Sequence, residues 1–316
     1  MKLGIIGAGY MGQAHARVLS EIAPKFGHSL SFIVEPDEQK AKMVSSKFGV
    51  RFYKDIDEAI RSEGNDVIPV VASPTFTHLE ILEKLIESGI EYIFVEKPLG
   101  DDVQKAKELA GKYPKSILEK VMVGHIERFN PAYQELKNAI AEGVLGNIIS
   151  ITSRRVGPFV ARISDVGVVL DLAIHDIDLS IDLAGKTPEK VYSFYYYRYS
   201  KDHEDSCFIL LDYDTHIHSI EANRVTPYKE RKAIITGTNG VAQLDFMQQS
   251  LEVYTGKWKM ERMIQKREPL TIEDEAFLSS VASGSRVPIT FFDGLKNLEI
   301  AHKALENGKN KRKSQE

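Results

Sequence analysis

The first residues whose types and spacing could do chemistry form a glycine-rich loop near the start of the chain. The segment from Gly7 to Gly12 has the pattern G-x-G-x-x-G; it follows a short apolar run over 2–6 and precedes a helix predicted over 10–21. The three glycines permit a tight turn, a close approach of the backbone to a pyrophosphate, and close packing of the helix on the strand. The N–H groups at the helix N-terminus then face the phosphates. The predicted cofactor-binding residues of this loop are Gly7, Gly9, Tyr10, Met11 and Gly12.

A carboxylate ends the next predicted strand. Glu35 lies near the spacing of about 20 residues at which a dinucleotide fold places its ribose-binding acid. A carboxylate there accepts hydrogen bonds from ribose hydroxyls and repels a 2′-phosphate, which favours NAD over NADP. The alternative is a solvated acid in a turn, and Lys40 and Lys42 lie close enough in sequence to weaken the preference for NAD. We therefore expect NAD as the cofactor, with NADP less favoured.

A lysine follows the predicted strand 91–95, in the tripeptide Glu96-Lys97-Pro98. In an open α/β sheet, ligands bind beyond the carboxyl ends of the strands, which places Lys97 where the nicotinamide end of a dinucleotide would lie. Pro98 fixes the direction of the chain and holds the ammonium group on a stiff turn. By itself, however, this tripeptide is common on protein surfaces.

A carboxylate and an imidazole come together in a helix predicted over 167–184. Asp171 and His175 are four residues apart, so they share a helix face. A carboxylate beside an imidazole orients the ring and stabilises its charged form, which suits a base that takes a proton from an alcohol. The alternative is an acid near the positive end of the helix and a solvated histidine. No third ligand lies at a convincing spacing for a metal, so no metal is expected.

Composition limits the classes of protein that this chain can belong to. Its 316 residues are long for one hydrophobic core and favour two domains, 1–122 and 123–316. The net charge of −4 gives no general affinity for nucleic acid or anionic membrane. The single cysteine, Cys207, cannot form an internal disulfide, which fits a reducing compartment. No apolar run approaches the ~20 residues of a membrane span, and the first strand leaves no room for a targeting segment. We expect a cytoplasmic protein that acts on a small molecule.

The two predicted domains differ in pattern. Residues 1–122 alternate apolar runs with helical stretches, which predicts a Rossmann domain with a doubly wound parallel sheet. Its predicted strands cover 2–6, 30–34, 66–71, 91–95 and 119–123, and its helices 10–21, 37–48, 76–88 and 102–112. Residues 123–316 predict an α+β domain with a large, mostly antiparallel open sheet and helices on one face. Its predicted strands cover 189–199, 205–212, 215–224, 231–237, 240–246 and 250–255, and its helices 131–142, 167–184, 271–284 and 291–307.

The first strand of the second domain is rich in aromatic residues. In a strand, Tyr192, Phe194 and Tyr196 lie on one face, and Tyr195, Tyr197 and Tyr199 lie on the other. One such face can pack under helices, whereas the second would be a large exposed apolar surface. We expect a homodimer or homotetramer assembled through this sheet; a wall on which carbohydrate stacks is the alternative.

In this order, the groups above resemble the glucose–fructose oxidoreductase and inositol dehydrogenase family, called Gfo/Idh/MocA. The dinucleotide loop, the E-K-P motif and the D-x-x-x-H motif of that family match Gly7–Gly12, Glu96–Pro98 and Asp171–His175. Its T-P-x-x-x-H segment matches Ser73–His78, with Ser in place of the first Thr, and Glu35 stands where many members carry Asp. The resemblance covers most of the chain. It adds to the predicted cofactor-binding set Ser73, Pro74, Thr75, His78, Glu96 and Lys97.

The resemblance also implies a reaction. NAD⁺ accepts a hydride from a sugar carbon, while His175, oriented by Asp171, takes the hydroxyl proton. Lys97 bonds the same oxygen or the nicotinamide ribose and stabilises the developing negative charge. The predicted catalytic residues are therefore Lys97, Asp171 and His175.

A narrower resemblance concerns the branch that oxidises the 3-hydroxyl of UDP-N-acetylglucosamine or its uronic acid. The runs that carry it are 124–131, 155–159 and 162–176. A UDP diphosphate needs cationic forks, because Arg pairs phosphate oxygens bidentately. The alternative for each arginine is an ion pair with a structural acid. The predicted substrate-binding residues are Arg128, Asn130, Arg155 and Arg162, with Arg154 a further candidate.

Three other functions stay open at the level of sequence. A free polyol dehydrogenase of the inositol type needs no diphosphate site. An NAD-dependent glycoside hydrolase oxidises and re-reduces its sugar within one cycle, so no net NADH is released. A non-catalytic NAD-binding sensor needs neither Lys97 nor Asp171 and His175, and their presence counts against it.

Overall fold

The computed structural model describes residues 1–159, 166–200 and 202–312, the last four of these by their backbone alone. The chain forms two compact units, which are not contiguous in sequence. The first comprises Met1–His125 and Leu270–Leu295, and the second Ile126–Pro269 and the residues from Lys296 onward. A domain boundary at residues 122 and 123 stays a prediction. No described helix is long and apolar enough to cross a membrane.

The elements follow one another along the chain as strands and helices with short connections. The strands are β1 (Lys2–Ile6), β2 (Ser29–Val34), β3 (Arg51–Tyr53), β4 (Val67–Val71), β5 (Ile93–Glu96), β6 (Val121–Gly124), β7 (Ile148–Val156), β8 (Lys190–Tyr196), β9 (Ser206–Asp212), β10 (Ile217–Asn223), β11 (Glu230–Gly237), β12 (Gly240–Asp245), β13 (Ser250–Thr255) and β14 (Lys259–Glu261). The helices are α1 (Tyr10–Ile22), α2 (Glu38–Phe48), α3 (Ile56–Glu63), α4 (His78–Glu87), α5 (Val103–Lys112), α6 (Lys115–Leu118), α7 (Pro131–Ala141), α8 (Ile174–Ala184), α9 (Pro269–Ser283) and α10 (Phe291–Arg312).

The first unit contains a parallel sheet in the order β3-β2-β1-β4-β5-β6. All of its pairings are parallel, as the alternation of strands and helices predicts. The strand order reverses between β1 and β4, and in such sheets ligands bind at the carboxyl ends of the strands beside this switch point. The glycine loop follows β1 and the segment from Ser73 follows β4, so both lie at the switch point.

Two elements of the first unit, besides the four-residue helix α6, were absent from the sequence prediction. The strand β3 has three residues and extends the sheet beside β2. The helix α3 is short and polar, and Asp55 caps it by accepting the backbone N–H of Glu58 at 2.8 Å. Neither element is long enough for its apolar periodicity to stand out from the sequence.

The second unit contains a sheet in the order β14-β13-β12-β11-β7-β10-β9-β8. Of its described pairings, β7–β10 is parallel and the rest are antiparallel. The predicted fold class, a Rossmann domain followed by a large, mostly antiparallel sheet, is confirmed.

The strand β7 lies inside this sheet, although the sequence prediction does not contain it. Its inward positions are Ile151, Ser153 and Arg155, each of them buried. Two of these three are polar, so the alternation of apolar and polar residues that marks a half-buried strand is missing. Only the neighbouring strands β10 and β11 define β7 as a central strand.

The two faces of the second sheet differ in burial. One face is covered: α7 packs on β12 and β13, and its buried residues join a core with Ile235, Leu244 and Leu251. The other face carries exposed apolar side chains, which include Tyr192, Phe194, Tyr196, Phe208, Leu210, Ile217 and Ile234. We call this second surface the exposed sheet face.

Candidate active site

The glycine loop has the geometry that its sequence predicts. Gly7 adopts φ +98°, and a Cβ there would come within 2.6 Å of the backbone nitrogen of Ser73. A Cβ on Gly12 would collide with the carbonyl oxygen of Gly7. The loop is therefore held between β1 and the segment after β4, and Gly9, the N-cap residue of α1, leaves the first turn of that helix without a side-chain cap.

Glu35 lies against this loop. Its Oε2 accepts the backbone N–H of Ala8 at 2.9 Å, and its Oε1 accepts that of Asp37 at 3.2 Å. Lys40 pairs with the same carboxylate at 2.8 Å, whereas Lys42 pairs with Glu38. The carboxylate thus stands beside the start of α1, where the sequence places the ribose-binding acid.

The segment from Ser73 to His78 connects two loops of the first unit. The His78 ring is buried, with Nδ1 2.9 Å from the carbonyl oxygen of Pro98 and Nε2 2.9 Å from that of Ser73. The hydroxyls of Ser73 and Thr77 are 2.7 Å apart. His78 therefore fixes the loop after Lys97 against the loop after β4 and is itself buried within the protein.

Glu96 is also turned inward. It is 6% exposed; its Oε1 is 2.9 Å from Nε2 of His15, and its Oε2 accepts the backbone N–H of Lys97 at 3.1 Å. Lys97, by contrast, is partly exposed. The structure therefore assigns Glu96 to the support of the turn. His15 was missed by sequence reasoning, although a polar residue on the apolar face of α1 was a signal that could have found it.

In the second unit, Asp171 lies in a π-helical turn, Val169–Ala173, that leads into α8. The sequence predicts a regular helix here; the wider turn is a form that occurs frequently at functional sites. Glu204 holds its start, because its Oε1 accepts the backbone N–H of Val169 at 2.9 Å and its carbonyl oxygen accepts that of Val168 at 3.0 Å. A Cβ on Gly167 would collide with the Glu204 carboxylate.

His175 lies in the first turn of α8 and is 9% exposed. Arg155 fixes this turn: its Nε donates to Asp176 at 2.8 Å and its Nη1 donates to Glu127 at 2.6 Å. All three side chains are buried. Burial opposes the charge of Arg155, but the two carboxylates outweigh it and raise the pKa of the guanidinium.

Arg128 fixes the next turns of the same helix. Its Nε and Nη2 form a bidentate pair with Asp178 at 2.8 and 2.6 Å, and its Nη1 donates to Asp182 at 3.2 Å. Asn130 caps α7 by accepting the backbone N–H of Ala132 at 3.1 Å. The acids of α8 that follow His175 are thus matched by two arginines from other segments.

These contacts change the roles of the predicted substrate-binding residues. Arg128 and Arg155 pair with buried carboxylates of the helix that carries His175, whereas Asn130 caps α7 and donates to Glu127 and to the carbonyl oxygen of Phe246. A role for these three residues in substrate binding stays a prediction. Arg154 lies on the exposed sheet face, where it pairs with Glu221 and Glu230. Arg162 lies outside the described residues.

A different arginine was missed by sequence reasoning. Arg231 on β11 is the cross-strand partner of Arg155, so it lies on the covered side of the sheet, yet its side chain is 44% exposed. Its ion pair with Glu127 is long, at 3.8 Å. Burial and the like charge of Arg155 lower the pKa of Arg231, whereas Glu127, Asp176 and Asp171 oppose that change. Arg231 stays charged near neutral pH, and only the strand register shows its position.

Arg155 and Arg154 provide a matched test of buried and exposed ion pairs. We expect Arg155→Ala to lower the free energy of unfolding by about 3–5 kcal/mol, because it leaves two buried carboxylates without their cation. Arg154→Ala also removes two ion pairs, but from a surface position, and costs about 1 kcal/mol or less. Urea unfolding of both variants measures the difference; equal losses would contradict a structural role for Arg155.

Comparisons with known proteins agree with this architecture. Residues 1–125 match the GFO_IDH_MocA oxidoreductase family with its NAD-binding Rossmann fold, and residues 133–243 match the GFO/IDH/MocA C-terminal domain. The UDP-N-acetylglucosamine 3-dehydrogenase of Acidithiobacillus ferrooxidans is 27% identical over 97% of this chain and 96% of its own. A solved structure of that enzyme superposes with a TM-score of 0.85 and covers 97% of both chains.

Relatives with other substrates are nearly as similar. An inositol 2-dehydrogenase of Rhizobium meliloti is 26% identical over 99% of this chain and 98% of its own. The matched domains together cover most of the chain, in the order that the motifs predict. The chain therefore belongs to the Gfo/Idh/MocA family of NAD-binding oxidoreductases, a family whose named relatives are dehydrogenases that act on the CH–OH groups of sugars and polyols.

Proposed function

We propose that this chain oxidises the 3-hydroxyl of a nucleotide-sugar of the UDP-N-acetylglucosamine type. The observation that carries this substrate is the similarity to a UDP-N-acetylglucosamine 3-dehydrogenase over 97% of the chain. Inositol dehydrogenases have nearly the same identity, so a free polyol dehydrogenase is the second candidate. The two differ in one chemical requirement, because only the nucleotide-sugar brings a diphosphate.

The residues of the first unit fit a dinucleotide. Among the described residues, none comes within 4 Å of the position that a Cβ on Gly9 would take, so a ligand can approach the backbone there. The first turn of α1 has no side-chain cap, and its N–H groups suit a pyrophosphate. We assign Glu35 to the ribose hydroxyls. The remaining residues of the proposed cofactor site are Gly7, Tyr10, Met11, Gly12, Ser73, Pro74, Thr75 and Lys97.

His175, Asp171 and Lys97 have separate roles in the proposed reaction. NAD⁺, when bound, supplies the acceptor for a hydride from the sugar carbon. His175 takes the proton of the sugar hydroxyl as a general base. Asp171 orients the ring and stabilises the charged form that results. Lys97 donates to the same oxygen and stabilises the negative charge that develops on it.

Arg231 is the side chain that we propose for the diphosphate. It is a cation on the covered side of the sheet, its ion pair with Glu127 is long, and Asp171 lies close enough to influence its charge. A guanidinium in this state can exchange a weak partner for two phosphate oxygens. Arg128 and Arg155 cannot do so without leaving buried carboxylates unpaired.

We expect Arg231→Ala to raise KM for UDP-N-acetylglucosamine by about tenfold or more, since a charge-assisted hydrogen bond contributes about 1.5–3 kcal/mol. The assay follows NADH with UDP-N-acetylglucosamine, its uronic acid, free inositol and glucose. Lys232→Ala is the control, because Lys232 is the next residue on β11 but points to the exposed sheet face. It should leave KM unchanged.

The same assay separates the alternatives. NADH formed only with a free polyol, and unaffected by Arg231→Ala, would support the second candidate. No NADH with any of these compounds, despite binding of NAD⁺, would favour a hydrolase that recycles its cofactor or a sensor.

We expect Lys97→Ala to lower kcat by about 100-fold or more, because it removes a donor to the developing oxyanion, while the affinity for NAD⁺ changes little. His175→Ala should remove the fall in rate that occurs at low pH, since protonation inactivates a general base. Lys115→Ala, at an exposed lysine, is the control. An unchanged pH profile would exclude His175 as the base.

We further propose that the exposed sheet face joins two copies of the chain, because Tyr192, Phe194 and Phe208 expose about half of their surface on one continuous side of the sheet. Leu210→Lys places a charge in the middle of this face and should shift the protein toward monomer in sedimentation. Met263→Lys, at a residue that is 98% exposed outside the sheet, should not. A wild-type protein that is monomeric at micromolar concentration would refute the assembly.

A further inference from the structure

The first unit contains a fully buried histidine between two carboxylates. His15 on α1 is 0% exposed; its Nδ1 is 2.9 and 3.1 Å from the two oxygens of Asp274, and its Nε2 is 2.9 Å from Oε1 of Glu96. Asp274 comes from α9, which returns to this unit after more than 140 residues in the other, and Glu96 ends β5. One imidazole thus joins the helix that follows the glycine loop, the strand that leads to Lys97 and a helix from late in the sequence.

The partners determine the protonation of the ring. An ionised carboxylate only accepts hydrogen bonds, so beside ionised Asp274 and Glu96 both ring nitrogens donate and the ring is an imidazolium. Burial works against that charge, but Asp274 and Glu96 together raise the pKa of His15 well above its usual value. Burial also acts against the charge of Glu96, yet His15 and then Lys97 lower the pKa of its carboxyl. The charged ring and its two carboxyl partners are thus almost entirely buried: the side chains of His15, Asp274 and Glu96 are 0%, 1% and 8% exposed.

The charged ring reaches Lys97 through Glu96. Oε1 of Glu96 is 2.9 Å from Nε2 of His15, and Oε2 of Glu96 accepts the backbone N–H of Lys97 at 3.1 Å. The carboxylate lies close to Gly124, where an added Cβ would come within 3.2 Å of Oε2, and the Phe94 ring packs edge to face on the His15 ring with 4.9 Å between the ring centroids. Both oxygens of Glu96 are thus oriented, one by the imidazolium and one by the turn itself.

We propose that His15 is a positioning residue for Lys97: as a permanent imidazolium it keeps Glu96 ionised and oriented, and Glu96 in turn fixes the backbone at Lys97. This inference rests on the role of Lys97 in the proposed function. Without the cation, two buried carboxylates face each other, and one of them takes up a proton. Glu96 then loses its fixed orientation, and the Lys97 ammonium loses its place relative to the reacting oxygen.

A double-mutant cycle on kcat tests this path. We expect His15→Gln and Glu96→Gln each to lower kcat by between about 10-fold and 100-fold, as expected for a misplaced catalytic group. Because both act through the same turn, the double variant should be no slower than the slower single variant. Losses that multiply, or an unchanged kcat in folded His15→Gln, would overturn the proposal.

Two controls separate positioning from loss of stability. His218→Gln removes another fully buried histidine, one that bonds Ser153 in the second unit; it should lower the melting temperature and leave kcat unchanged. Asp274→Asn leaves Glu96 to hold the charge on His15, so it should reduce kcat less than His15→Gln does. If Asp274→Asn were as slow as His15→Gln, the path through Glu96 would be excluded.

The protonation of the ring has a readout that needs no substrate. In protein labelled with ¹⁵N-histidine, the His15 ring should show two protonated nitrogens at neutral pH, where an unperturbed imidazole is mostly neutral, and the ring of the Glu96→Gln, Asp274→Asn double variant should lose a proton there. A ring that is neutral at pH 7 would overturn the proposal even if the enzyme is active. An enzyme that oxidises no sugar would instead refute the proposed function and leave the charged ring as measured.

The pH dependence of stability provides the same distinction. Since the folded pKa of His15 is raised, its contribution is complete below the unfolded pKa of about 6.5 and is lost as the pH rises through the folded pKa. The melting temperature of wild type minus that of His15→Gln should therefore shrink with rising pH. A difference that grows with pH would contradict the charged ring.

Discussion

A carboxylate that is removed from water needs a cation beside it, and each unit of this protein builds its functional segment on such a match. In the first unit the cation is His15, between Asp274 and Glu96. In the second unit Arg155 matches Asp176 and Glu127, and Arg128 matches Asp178. The turn that carries Lys97 and the helix that carries His175 both depend on these buried pairs.

Buried pairs serve this purpose because they fix direction as well as position. A hydrophobic contact tolerates small rotations, whereas a bidentate guanidinium–carboxylate pair holds its helix in one orientation. Arg155 contacts Asp176 of α8, and Arg128 contacts Asp178 and Asp182 of the same helix. The helix that carries His175 is thereby held in one orientation. The same logic explains why arginines that look like substrate contacts in the sequence are structural.

The structure also explains which cations remain for ligands. On β7, Arg155 faces the covered side of the sheet and Arg154 faces the exposed side, and both are engaged by carboxylates. Arg231 is the cross-strand neighbour of Arg155, and its ion pair among the described residues, with Glu127, is 3.8 Å long. Two adjacent guanidinium groups repel each other, and the carboxylates between them are shared. The arrangement favours an anionic ligand at the less buried of the two.

The sequence by itself determined the parts of the protein that depend on neighbours along the chain. The glycines of the dinucleotide loop, Glu35, the E-K-P turn and the pair Asp171 and His175 are all recognisable because local backbone geometry and helical spacing fix their relations. Most elements of the Rossmann domain follow from apolar periodicity, whereas the short β3, α3 and α6 did not. The alternation of strands and helices also places the glycine loop and the segment from Ser73 at the switch point of the sheet.

Contacts between distant segments were decided only by the tertiary structure. Asp274 meets His15 across 259 positions of the chain, and nothing near either residue indicates the other. The central strand β7 was hidden because its inward residues are polar, and they are polar because Arg155 and Ser153 have partners on other elements. Whether an arginine forms a structural ion pair or is left for a ligand likewise depends on which carboxylate the fold brings close to it. Local patterns carry the chemistry of single side chains, but the matching of buried charges is a property of the assembled fold.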